Sequence, residues 1–174
     1  AIAVNQGLLR AQSLTALGTS AAGTTVSSGA ALAIDGSLGT LAEPLAIAGT
    51  GLNNDGSGAL RVAGTNTWSG PITLSDSLTT RPHAIAVDSG VLTVTGAIGQ
   101  ATAGSALVKT GPGTLELGGT AVNTYSGTTT ISAGTLVLNK TAGGAAMPYT
   151  TAVIVGDNDG GSAADQLVYG PSAN

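Results

Sequence analysis

The chain has 174 residues, a net charge of −4, no Cys, no Phe, one Trp and three Tyr. That composition excludes a disulfide framework, a thiolate metal site and a core built round aromatic rings. Hydrophobic residues nevertheless make up 42% and mean hydropathy is +0.34, too apolar for a disordered chain, so a folded core of Ala, Val, Ile and Leu is expected. Charged residues are only 8%, which leaves Thr, Ser, Asn and Gly to cover the surface. The five bases, Arg10, Arg61, Arg81, Lys109 and Lys140, are scattered, and no group of them can neutralise adjacent phosphates, so nucleic acid is not an expected partner. No stretch reaches eighteen consecutive apolar residues and no basic region precedes an apolar run at the start, so direct membrane insertion is not expected either. The abrupt opening at Ala1 points to a piece of a longer protein.

Taken in order, one phrase recurs: Gly, one or two small residues, then Leu-x-apolar. It appears at Gly7-Leu8-Leu9, Gly29 to Ile34, Gly58 to Val62, Gly90 to Val94, Gly113 to Leu117 and Gly134 to Leu138. The intervals between these glycines are 22, 29, 32, 23 and 21 residues. A basal period near 22 with two longer intervals reads as stacked coils carrying loop insertions. A second phrase, Asn66-Thr67-Trp68-Ser69-Gly70-Pro71-Ile72-Thr73-Leu74, matches Asn123-Thr124-Tyr125-Ser126-Gly127-Thr128-Thr129-Thr130-Ile131. Within each run apolar residues alternate with small or polar ones, the period of a strand buried on one face. Gly, Asn and Ser fall between the runs, where the chain turns, and each interior Gly costs a helix about 1 kcal/mol relative to Ala. The expected fold is all-β: a right-handed parallel β-helix (β-solenoid) of about 7–8 coils, each roughly 22 residues long, with residues 1–174 forming one unit. At about 4.8 Å per coil this predicts a rod of some 35 Å.

The stretches Lys109-Thr110-Gly111-Pro112-Gly113-Thr114-Leu115 and Asn123-Thr124-Tyr125-Ser126-Gly127-Thr128-Thr129 closely resemble the autotransporter-associated β-strand repeat, also called the passenger-associated transport repeat. The resemblance covers residues 106–140 well. It covers 56–95 in a diverged form, with Trp68 in place of the Tyr and Pro71 in place of the first Thr. It implies a β-helical passenger module of a large secreted or surface-displayed bacterial protein, with no catalytic residue. The partners it implies are neighbouring solenoid coils of a parent chain and a host or environmental surface ligand. Free strand edges at the two ends invite end-to-end self-association.

The candidate sites each carry a plain structural alternative. Asp157, Asp159 and Asp165, with Asn158 and Gly160, suit either an oxygen-rich Ca²⁺ loop or a tight turn; the turn is the expected reading. His83 is expected on a solvated loop. Asp35, Glu43, Asp55, Asp76, Asp88 and Glu116 are the carboxylates that coils would have to gather for a glycan-cleaving enzyme. Trp68 and Tyr125 read as equivalent positions, either covering a Gly at a coil corner or forming a carbohydrate-binding row. Lys109 and Lys140 are expected as solvated edge residues that discourage sheet pairing. Thr93, Thr95 and Thr128 to Thr130 do not recur regularly enough for a flat ice-binding plane, and Gly49-Thr50-Gly51 and Gly111-Pro112-Gly113 lack the third glycine of a dinucleotide loop. No catalytic, cofactor or metal residue set emerges. The expected function is a non-catalytic stalk or adhesive shaft. A binding adhesin using loops at 39–57 and 75–89 comes second, and a polysaccharide-acting enzyme third.

Overall fold

The computed structural model describes residues 1–76, 82–141, 144–148, 152–156 and 164–171. Among them the regular elements are strands and one short 3₁₀ turn, Leu52–Asn54. The chain circles an axis and lays down up to three strands in each circuit. The first holds β1 (Ile2–Val4) and β2 (Gly7–Ala11), and the second β3 (Thr24–Val26), β4 (Ala30–Asp35) and β5 (Gly39–Leu41). The third holds β6 (Leu45–Ile47), β7 (Leu60–Ala63) and β8 (Asn66–Trp68), and the fourth β9 (Ile72–Leu74), β10 (Pro82–Ser89) and β11 (Val91–Val94). Next come β12 (Ile98–Gln100), β13 (Ala106–Thr110) and β14 (Thr114–Gly119), then β15 (Thr129–Ile131) and β16 (Thr135–Lys140). A last pass carries β17 (Val153–Val155) and β18 (Gln166–Tyr169).

Strands of successive circuits pair in parallel to give three sheets: A, β1-β3-β6-β9-β12; B, β2-β4-β7-β10-β13-β15-β17; and C, β5-β8-β11-β14-β16-β18. This is a parallel β-solenoid of about six turns, fewer than the seven or eight expected. The shortfall comes from turn length. Pairings such as Leu45 with Ile72 and Leu32 with Leu60 show that the middle turns are several residues longer than the basal period. At about 4.8 Å per turn the rod is roughly 30 Å long.

Every sheet buries alternate residues, and the register stacks them in rows. Sheet B carries the inward row Leu9, Leu32, Leu60, Ile85, Lys109, Ile131 and Val155. Sheet C carries Leu92, Leu115, Leu136 and Leu167, and beside it Leu41, Trp68, Val94, Leu117, Leu138 and Tyr169. Sheet A contributes Val4, Val26, Ile47 and Leu74. Most of these side chains are fully enclosed, and each Leu or Ile so buried contributes roughly 1.5–3 kcal/mol relative to exposure.

The repeated phrases do not keep to one face. The Gly-Leu phrase lies in sheet B in β2, β4 and β7 but in sheet C in β11, β14 and β16. The 32-residue interval from Gly58 to Gly90 therefore includes one turn of sheet B and the step across to sheet C. Asn66-Thr67-Trp68 likewise forms β8 of sheet C, whereas Thr124 bonds to Ile98 of sheet A. Trp68 and Tyr125 are thus not equivalent positions. Sheets B and C both accept the Gly-Leu phrase, because each needs the same things there: a glycine to turn and a Leu to point inward.

The two expected binding loops change accordingly. Residues 39–57 contain β5 and β6, which confines the insertion to the stretch between Ile47 and Leu60. That insertion is tied down. The Asn53 amide donates to the Gly29 carbonyl, and the Asn54 side-chain oxygen accepts from Ser28 Oγ at 3.1 Å and the Thr50 amide at 3.2 Å. Residues 82–89 form β10, in the middle of sheet B, while residues 77–81 of the second loop, Arg81 among them, lie outside the described residues.

Candidate functional site

The interior holds more polar chemistry than a column of Leu and Val requires. Lys109 and Lys140 are not solvated edge residues. Lys109 is fully buried, stacked between Ile85 and Ile131, and its Nζ donates to the carbonyls of Thr110 (2.9 Å), Gly111 (2.7 Å) and Ala133 (2.8 Å). Those carbonyls belong to two successive corners, so one ammonium ties adjacent turns together. Burial pushes its pKa down to about 8 against the raising effect of Asp165 and Asp88. Lys140 is buried in the same way at the end of β16 and donates to the Gly118 carbonyl at 2.8 Å. Its pKa is likewise pushed down to about 8 by burial.

His83 is also interior. It stands in β10 opposite Leu107, in phase with Ile85 and Val87, and is fully enclosed. Its Nδ1 lies 3.2 Å from the Ala106 carbonyl, while Nε2 is buried without a hydrogen-bond partner. Burial lowers its pKa, opposed by the Ala106 carbonyl and the charge of Asp76. Trp68 and Tyr125 are both enclosed in the core, so neither forms an exposed row for sugars. Trp68 Nε1 donates to the Glu43 carbonyl at 2.9 Å, and Tyr125 Oη meets Thr129 Oγ1 at 2.8 Å. Burial raises the Tyr125 phenol to about 12. Asn66 and Asn123 bridge turns: Asn66 accepts from the Leu38 amide at 2.7 Å and donates to the Gly36 carbonyl at 2.9 Å. Asn123 accepts from the Ile98 amide at 2.8 Å and donates to the Ala146 carbonyl at 2.7 Å. Trp68, Asn66 and Asn123 thus tie their polar atoms to backbone of neighbouring turns, whereas Tyr125 bonds a side chain and His83 keeps one ring nitrogen unpartnered.

Outside, the most developed feature is a charged row on sheet B. Arg10, Ala33, Arg61 and Ala86 share one outward register. The small Ala on each intervening turn leaves room for the guanidinium to lie along the rod. Arg10 pairs with Asp35 at 3.0 Å and Arg61 with Asp88 at 2.9 Å. These four residues, with Leu8, Ala33 and Ala63, line a shallow groove. The remaining acids are dispersed. Glu43 is buried and accepts from Thr24 Oγ1 at 3.1 Å, Asp55 sits in the insertion after Ile47, and Glu116 is on sheet C bonded by Asn139 at 2.8 Å. Asp35 and Asp88, the two that share a face, are each committed to an arginine. Among the described residues, the coils thus bring Asp35 and Asp88 to one face as arginine-paired carboxylates, unlike the free pair that glycoside hydrolysis uses.

On sheet C the outward row reads Thr40, Thr67, Thr93, Glu116, Val137 and Val168. Three threonines in register end at a carboxylate, so no extended Thr plane forms, and Thr129 points inward. Asp157 and Asp159 of the proposed Ca²⁺ loop lie outside the described residues, as does most of that stretch.

The ion-pair row was absent from the sequence reading. Its signal was there: each Arg precedes an Asp by about one turn, at Arg10 and Asp35 and at Arg61 and Asp88. The buried cations were signalled by parity, since Lys109 is in phase with Leu107 and Lys140 with Leu136 and Leu138.

The family model described as passenger-associated-transport-repeat matches residues 52–76 and 107–138. The first match starts earlier and stops sooner than the 56–95 expected, and the second falls within 106–140. No curated protein and no solved structure matches the chain. The repeat and the parallel solenoid together fit a structural module of the autotransporter-passenger kind.

Proposed function

We propose that this chain is a non-enzymatic stalk segment of a passenger-like protein, secreted or displayed on a bacterial surface. The observation that carries this reading is the continuity of the core. Three parallel ladders and their inward rows run from turn to turn, and buried Lys109, Asn66 and Asn123 lock successive corners. Such a rod transmits position along its axis, each turn braced only by its neighbours. The right-handed crossover that parallel strand connections favour is the expected hand.

The test is a screen of the purified chain on a glycan array alongside incubation with pectin and alginate. The stalk reading expects neither saturable binding nor turnover. Turnover of either polysaccharide would replace it with the enzyme reading.

One observation favours a second role as an adhesin: the groove between the Arg10–Asp35 and Arg61–Asp88 pairs presents polar groups of both signs beside exposed Leu8. Saturable glycan binding lost in Arg61→Ala would establish that role.

A further inference from the structure

Among the described residues, the two basic side chains that face outward, Arg10 and Arg61, both stand on the outside of sheet B. With their acids they set one charge on each of four successive circuits: Arg10 on β2, Asp35 on β4, Arg61 on β7 and Asp88 on β10. Along the rod the signs alternate, plus, minus, plus, minus, at about 4.8 Å per step. The bonds within the pairs use Oδ2 of each acid, Nη1 of Arg10, and Nε with Nη2 of Arg61. Among the described residues this leaves Oδ1 of both acids and the remaining guanidinium N–H groups open to a partner, and all four side chains are between 32% and 60% exposed. Ala33, Ala63 and Ala86 share the same rows and are too short to hold a second surface away. The face is a flank of the rod. A turn stacked beyond either end would lengthen it and leave it open.

An even run of alternating signs becomes its own complement when it is reversed. From this we infer that two copies of this chain dock side by side with antiparallel axes, the outside of sheet B against the outside of sheet B. Arg10 of one copy then faces Asp88 of the other, and Asp35 faces Arg61; the two-fold axis repeats both contacts. The parallel arrangement would set Arg10 against Arg10 and Asp35 against Asp35, and like charges brought together reject it. The contact uses the same surface on both copies, so it is isologous and assembly stops at the dimer. It rests on the register of sheet B and is independent of the stalk assignment.

Sedimentation velocity of the 174-residue chain over a wide concentration range, in low salt and in about 1 M NaCl, where charges are screened beyond about 3 Å, tests it. The expected result is a dimer in low salt that dissociates in high salt. Two copies of net charge −4 repel at long range, so an apolar contact would tighten in salt instead. Arg61→Asp sets an acid against Asp35 of the other copy, and Asp35→Arg sets a base against Arg61. Each variant alone should therefore be monomeric at concentrations where the wild type is a dimer. Mixed together they should form a one-to-one dimer, because every facing pair is then of opposite sign: Arg10 with Asp88, Asp35 with Arg61 replaced on neither or both sides. Both variants stay net negative, so bulk attraction does not bring them together. The two positions are solvated, where an ion pair contributes at most about 1 kcal/mol, and an unchanged far-ultraviolet circular dichroism spectrum checks that each variant is folded. A wild-type monomer at all concentrations in low salt overturns the inference, as does a dimer that salt strengthens or species that grow past the dimer. Dimerisation that survives either single reversal, or failure of the folded variants to pair, also overturns it.

Discussion

A lysine in an inward row of leucines and isoleucines is stable only where its ammonium finds acceptors, because an unpaired buried charge costs several kcal/mol. Lys109 reaches three carbonyls, those of Thr110, Gly111 and Ala133. Lys109→Met keeps the stem's packing and leaves those carbonyls without their donor. With each unsatisfied buried acceptor costing about 1–3 kcal/mol, and water reaching part of the corner, urea unfolding at neutral pH should show a loss of about 2–4 kcal/mol. The pH dependence has a definite sign. The folded pKa of about 8 lies below the ordinary 10.5, so between those values the unfolded chain binds more protons and stability rises with pH. Lys109→Met should flatten that alkaline rise, leaving the share that Lys140 contributes. His83 acts at the other end of the scale. Its folded pKa is also lowered, so its contribution is complete above the unfolded value of about 6.5 and is lost as pH falls through that value toward the folded one. His83→Leu should therefore shift the acid unfolding midpoint to lower pH, and an unchanged midpoint would mean that the ring is solvated after all.

At the scale of the element, the corners carry the demand. Gly36, Gly64, Gly90 and Gly134 all turn with positive φ, and a Cβ on Gly90 would sit 2.6 Å from the carbonyl oxygen of Gly64 on the turn below. Gly90→Ala thus meets both the left-handed penalty, about 1–2 kcal/mol, and a backbone overlap that no rotamer relieves. Gly56 has the same sign of φ with nothing within 4 Å. Gly56→Ala should cost about 1 kcal/mol and Gly90→Ala at least 3, a difference that thermal melting resolves. The same corners explain what the sequence made legible. Alternation identified the strands and Gly spacing identified the turns, because both are local. Which face a phrase occupies is not local: it depends on how many residues each preceding corner consumed, and so the insertion expected at 75–89 runs on into strand β10. The burial of Lys109, Lys140 and His83 was legible in their phase with neighbouring apolar residues, and residue type alone pointed the other way. The Arg–Asp row needed the turn length before its partners could be matched.

For the molecule as a whole, the consequence of stacking is that one turn is a removable unit. Ile85 pairs with Lys109 in register, so deleting residues 86–109 joins Ile85 to Thr110 at equivalent places in the row. The turn below then meets the turn above with inward and outward positions preserved. Such a variant loses Lys109 and one layer of core but no register. It should remain all-β, and its rod should be shorter by about one strand spacing, 4.8 Å, as read from the maximum dimension in small-angle scattering. Because turns interact only with their neighbours, the lost stability should be close to one turn's share. A deletion of half that length, residues 86–97, has the opposite outcome. It joins sheet B directly to sheet A and drops β11, so the rows above and below the junction no longer meet and cooperative melting should disappear. If both deletions fold equally well, the inward rows are not what holds the rod together. If neither folds, the core is a single cooperative body, and the additive picture of independent turns fails with it.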